Sequence, residues 1–253
     1  MLSEILALNI FAFFVVFARF AGAISILPGF SASYVSIQAR TAFTVMLTFV
    51  MVPVLQDKLP PLPNSSTGLG LILIGEFTIG FLIGSVARIF ISALQTAGTV
   101  IAFTSSMANS MIMDPISQQQ SAVVSVSLTT MAMVILFVAD LHHLMIYVVA
   151  DSYSLFTPGL LPDTGEMSEM ILDTVRNAFK LGIQLAAPFL LVSFSYNVSM
   201  GILARLMPKL NVFFVGMPLS IGLAFALLMI CIPSILMIFL KHYEETLERF
   251  LVP

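Results

Sequence analysis

Residues 69–106 read LGLILIGEFTIGFLIGSVARIFISALQTAGTVIAFTSS, 38 residues with two charges. As one helix at about 1.5 Å per residue the segment reaches about 57 Å. A whole bilayer with its headgroups is only about 40–45 Å thick. As two spans the segment is slightly short once a turn is subtracted. It reads as one long helix or a bent helical hairpin, part of which leaves the hydrocarbon layer. Composition supplies the membrane. The 253 residues are 59% hydrophobic and 9% charged, with a mean hydropathy of +1.06. A soluble domain carries about a quarter charged residues, so these few charges cannot cover a water-facing surface. The expectation is an all-α integral membrane protein of long, bent helices and helical hairpins. At about 20 apolar residues per span it is capped near six to eight spans.

The flanking segments misfit the bilayer in the same way. Residues 6–27 are apolar apart from Asn9, Arg19 and Ser25, and Pro28-Gly29 ends them. With no basic n-region and no small-residue cleavage site, they read as a first span and not as a cleaved signal. Residues 39–55 open at Arg40 and hold Pro53, and QDKLPPLPNSSTG (56–68) is an exposed connection. Residues 122–138 are interrupted by DLHH at 140–143 and resume at 144–149. Residues 151–170, DSYSLFTPGLLPDTGEMSEM, read as a second exposed linker. Residues 171–206 are too long for one ordinary span, and Pro188 is expected to bend them. Residues 212–240 carry Pro218 and Pro233, and KHYEETLERFLVP (241–253) reads as a short amphipathic surface helix. No repeat is visible. Lys58, Arg176 and Lys180 balance Arg40, Arg205 and Lys209, so the positive-inside rule assigns no topology.

Few residues carry chemistry. The net charge of −3 offers no basic surface to nucleic acid. Cys231 is the single cysteine, in an apolar run, and reads as a small hydrophobe. Arg19, Glu76, Arg88 and Asp140 are the charges inside or between apolar segments, where they are expensive. Gly80 and Gly84 form a GxxxG, and Glu76 lies one turn before them on the same stripe. The stripe lets another helix approach closely, either within the chain or in a different subunit. His142 and His143 are adjacent, and adjacent helix positions point about 100° apart, so no metal site is expected there. No Ser-His-Asp arrangement, GxGxxG, P-loop or HExxH occurs. Neither enzymatic activity nor a cofactor is expected.

The polar stretch TSSMANSMIMDPISQQQ (104–120) ends the long third segment. Asp114-Pro115 breaks a helix, because the residue before proline avoids the helical region. An irregular backbone at membrane depth must be buried in protein or line a water-filled cavity. Met107, Met111 and Met113 are flexible side chains that adapt to irregular surroundings. Such a loop could close a pore reversibly, or it could be an ordinary surface turn.

Three stretches in order, GEFTIGFLIG (75–84), MDPISQQQS (113–121) and AAPFLLVSFSYNVSMGILARLMPKLNVFFVGMPLSI (186–221), resemble the FliR family. Asn197, Gly201, Arg205, Pro208, Asn211, Gly216 and Pro218 fall where that family's pattern has them, and Arg40 and Pro53 also fit. The resemblance covers essentially the whole chain. The family comprises inner-membrane export-gate proteins of flagellar type III secretion, and SctT is the injectisome counterpart. The resemblance implies a non-catalytic gate subunit assembled with several copies of FliP and FliQ, beside FlhB. It implies a FliP-like part at about 1–150 and a FliQ-like part at about 151–253. It also implies a helical multi-subunit gate raised toward the periplasm, passing unfolded export substrates. The implied pore plug is the loop with Met107, Asn109, Met111, Met113, Asp114, Pro115, Gln118 and Gln119. Family plugs tend to carry phenylalanine at the tip, where this chain has methionine, serine and isoleucine. Subunit packing is expected from Glu76, Gly80 and Gly84 and from the seven matched residues between Asn197 and Pro218. The rival reading, a solitary small-molecule transporter, would want inverted repeats and paired charged sites near the midplane. Neither is visible.

Overall fold

The computed structural model describes residues 2–32, 35–63, 65–107, 111–113, 120–159, 164–207 and 212–251. Within them every regular element is a helix, apart from one short antiparallel strand pair. In chain order the elements are α1 (Leu2–Ile26), α2 (Ile37–Leu55) and a 3-10 turn (Gln56–Lys58). Then come α3 (Ser66–Thr104), β1 (Met111–Met113), β2 (Gln120–Ala122) and α4 (Val123–Val138). α5 (Leu141–Leu155), α6 (Thr164–Leu206) and α7 (Val212–Glu248) complete the fold.

The awkward third segment is one continuous 39-residue helix. α6 and α7 are longer than a usual span too, at 43 and 37 residues. α6 continues through Pro188, and α7 continues through Pro218 and Pro233. Among the described residues, five helices are long and apolar enough to cross a membrane. α4 and α5 would make a sixth candidate as a pair bent by 75°. Together with the composition, these helices define an all-α integral membrane protein.

The chain folds into two compact units. The first takes residues 1–90, 136–175 and 243–253, and the second takes residues 91–135 and 176–242. In the first unit, α1 buries Val15, Val16, Phe20 and Ile24, and α3 buries Ile79, Leu82, Ile83 and Val86. The two helices touch backbone to backbone. A Cβ on Gly22 would overlap the Phe77 carbonyl, one on Gly80 would overlap the Arg19 carbonyl, and one on Gly84 would sit 2.7 Å from the Ala23 oxygen. Of the two readings of the glycine stripe, the geometry therefore fills the intrachain one. α2 is arranged inside out for water but suitably for lipid. It buries Thr44 and Thr48, whose hydroxyls donate to the Arg40 and Thr44 carbonyls, and it exposes Met46, Phe49, Val50 and Val54.

Two sequence readings need correction. Residues 151–155 and 164–170 are not linker: α5 runs to Leu155 and buries Ser152 and Tyr153, and α6 begins at Thr164. The charged residues 241–248 are not a separate surface helix but the end of α7. Their amphipathic spacing is real, because Tyr243, Leu247 and then Phe250 are buried while Lys241, Glu244, Glu245 and Glu248 are exposed.

In the second unit, α6 buries a single stripe, Ala178, Leu181, Leu185, Ala186 and Phe189, at helical spacing. Gly182 on that stripe is close to α3: an added Cβ would lie 2.8 Å from the Ala93 oxygen. Beyond Phe189 the exposure changes. Leu191, Phe194, Val198, Ile202 and Leu206 are all exposed.

Candidate functional site

Two polar constellations stand out, one in each unit. In the first, Arg19 is wholly buried. Its Nε donates to Glu76 Oε2 at 2.7 Å, Nη1 donates to Ser152 Oγ at 3.1 Å, and Nη2 donates to the Phe156 carbonyl at 3.1 Å. Its guanidinium carbon sits 3.7 Å from the centre of the Tyr153 ring, a cation–π contact. The Gly159 backbone N–H adds a bond to the Glu76 carboxylate. Gly159 has φ +89, a left-handed conformation that glycine adopts without a Cβ penalty. A buried ion pair persists only when its remaining donors and acceptors are satisfied, and here three elements and a turn supply the partners. Sequence singled out Arg19 and Glu76 as costly but did not join them, and it missed Ser152, Tyr153 and the Phe156 carbonyl. The available signal was that two opposite charges in apolar segments are best placed together.

The second constellation surrounds the end of α3. Ser106 adopts the left-handed region at φ 59, and the Met107 N–H bonds the Ala102 carbonyl at 2.9 Å. This is a Schellman-type helix end with serine where glycine is usual. Ser193 Oγ donates to the Thr104 carbonyl at 2.7 Å, one of the carbonyls a helix end leaves without an intrahelical partner. Asn197 Nδ2 donates to Ser193 Oγ at 3.3 Å, and Tyr196 OH donates to the Gly216 carbonyl at 2.6 Å. Ser106, Tyr196, Asn197, Met200, Gly216, Met217 and Ser220 line an open recess of about 310 Å³. The structure thus brings the base of the 104–120 stretch together with Asn197 and Gly216, residues about 90 to 110 positions away.

Part of the stretch forms a strand. β1 pairs antiparallel with β2 in the register Met111↔Ala122, Ile112↔Ser121, Met113↔Gln120. The strands satisfy part of each other's backbone hydrogen bonding, which a polar segment in an apolar protein needs. Met111 and Met113 lie on β1. Asn109, Asp114, Pro115, Gln118 and Gln119 fall outside the described residues, as do Pro208 and Asn211. Gly201, Arg205 and Pro218 are exposed, and an added Cβ on Gly201 would meet nothing within 4 Å. Gly216 is buried, facing Met200 Cε and the Tyr196 hydroxyl.

The fold and these two constellations define a class: a helical membrane protein with over-long helices, a buried ion pair and a short hairpin rooted among polar side chains. The chain belongs to a known family, the bacterial export proteins, family 1, whose pattern matches residues 10–246. It is 31% identical to the flagellar biosynthetic protein FliR of Caulobacter vibrioides, over 96% of this chain and 97% of that protein. It is 28% identical to the FliR of Bacillus subtilis, over 94% and 92%. It is also 25% identical to the Yop proteins translocation protein T of Yersinia pestis, over 91% and 89%. The family is thus the FliR export-gate family of type III secretion, with flagellar and injectisome members.

Proposed function

We propose that the chain is a non-catalytic subunit of the flagellar protein-export gate, built into the channel with several copies of FliP and FliQ and lying beside FlhB. The observation that carries the flagellar reading is the end-to-end match to flagellar relatives, covering 96% of this chain at 31% identity. Unfolded export substrates pass through the shared lumen. The gate belongs to the inner membrane and rises toward the periplasm, so helices of 37 to 43 residues need not fit one bilayer. The whole chain acts as one gate domain, FliP-like to about residue 150 and FliQ-like after it. As a second reading, the similarity to an injectisome protein keeps a gate serving another secretion system in view.

The 107–120 segment is the resting plug. What supports this is its short antiparallel pair and its anchored root at Ser106, beside Tyr196 and Asn197. Met107, Met111 and Met113 give it a deformable apolar content. The second half of α6 meets neighbouring subunits. An exposed Asn197 and Arg205 amid exposed Phe194, Val198 and Ile202 suit a protein neighbour better than lipid. Gly201 allows close approach, and Gly216 and Pro218 lie in the first turns of α7, beside that half of α6 in sequence. Deleting residues 109–114 tests the plug. The assembled complex should form, and resting membranes should leak small solutes. An assembled complex with unchanged leak sinks the plug assignment.

A further inference from the structure

α4 ends at Val138 and α5 begins at Leu141, and the two helices meet at 75°. Asp140 makes the corner in the left-handed region at φ 58. That corner brings three donor side chains together. One ligand atom from each of Asp140, His142 and His143 lies within 4.8 Å of the others. Although the histidines are adjacent in sequence, their ring centroids are only 4.1 Å apart. His143 Nδ1 is 3.6 Å from Asp140 Oδ1. The His142 ring is stacked on Phe137 at 5.0 Å, and its Nδ1 is buried with no hydrogen-bond partner among the described residues. A buried nitrogen left without a partner is costly.

We propose that Asp140, His142 and His143 form a binding site for a divalent transition-metal ion of the zinc class at the α4–α5 elbow. Two imidazoles and one carboxylate are a donor set for zinc, copper or nickel and not for calcium or magnesium, which take oxygen ligands. Three protein ligands leave further positions for water. Ligand atoms around a tetrahedral zinc stand about 3.4 Å apart at bond lengths of about 2.1 Å. Closing from 4.8 Å needs rotations of Asp140 and His143, whose side chains are 76% and 72% exposed and so have room to turn. The ion ties the corner residue to the first turn of α5 and stiffens the bend. The third histidine, His242, lies outside the cluster and serves as the control.

The test uses the full-length chain without an affinity tag, purified in detergent with whatever subunits accompany it. Zinc(II) is titrated in competition with a chromophoric chelator. The wild type should bind one zinc per chain. His142→Ala, His143→Ala and Asp140→Asn should each weaken binding about tenfold or more, on the scale of metal-site perturbations. His242→Ala should leave binding unchanged. Circular dichroism on each variant separates lost ligands from lost folding, and Asp140→Asn preserves shape at an exposed position. The proposal is overturned if the wild type binds no zinc, or if the His142→Ala, His143→Ala double variant, still helical, binds it equally well.

Discussion

The Arg19 guanidinium uses three of its five N–H donors on Glu76, Ser152 and the Phe156 carbonyl, with Tyr153 against its face. Removing one member of a buried pair leaves the other charge without compensation, a loss of roughly 3–5 kcal/mol, whereas replacing both with apolar groups is far milder. Arg19→Met should therefore lower the thermal unfolding midpoint in detergent more than the Arg19→Met, Glu76→Leu double variant does. Equal losses would show that the pair is not what the site depends on. At the hairpin root, Ser106 holds a left-handed backbone that costs a residue with a Cβ about 1 kcal/mol. Ser106→Gly should raise stability slightly, and Ser106→Val should lower it, read from the same melting curves. At this scale the sequence disclosed which residues are expensive. It did not disclose their partners, because Arg19 and Glu76 lie 57 positions apart and Ser152 sits in a stretch whose Asp, Ser and Tyr content imitates a linker. His142 and His143 show the same limit. Ideal helix geometry sends adjacent side chains apart, yet both rings in the first turn of α5 turn toward each other, their centroids 4.1 Å apart.

Among the elements, hydrophobic runs located every helix. Apolar length distinguished α3, α6 and α7 as too long for one span, and the structure resolves the ambiguity in favour of continuous helices. Proline is a poor stop signal here, because Pro188, Pro218 and Pro233 all lie inside helices. The strand pair was not legible, since three-residue strands are too short to show a two-residue period. Its register makes a sharp prediction. Directly opposed residues of an antiparallel pair have Cα atoms about 4.5–5.5 Å apart, within disulfide range. In a Cys231→Ser background, Met111→Cys with Ala122→Cys should cross-link on mild oxidation, while Met111→Cys with Gln120→Cys should cross-link poorly. The reverse preference, seen as a gel shift on non-reducing electrophoresis, would contradict the register.

For the whole molecule, charge scarcity fixed the membrane class and the order of three motifs fixed the family, which residues 10–246 then matched. The division into two units was invisible in the sequence because each is assembled from separate stretches: 1–90, 136–175 and 243–253 for one, 91–135 and 176–242 for the other. The charged tail illustrates this. Tyr243, Leu247 and Phe250 look like one face of a surface helix until the unit that contains residues 1–90 buries them. The flagellar export-gate reading belongs to this scale, and one measurement tests it most directly. The gene is deleted in frame, and flagellin and hook protein are assayed in the culture supernatant together with motility. The account predicts that export and motility both vanish and that the wild-type gene restores them. Continued flagellin export and motility in the deletion strain would contradict it.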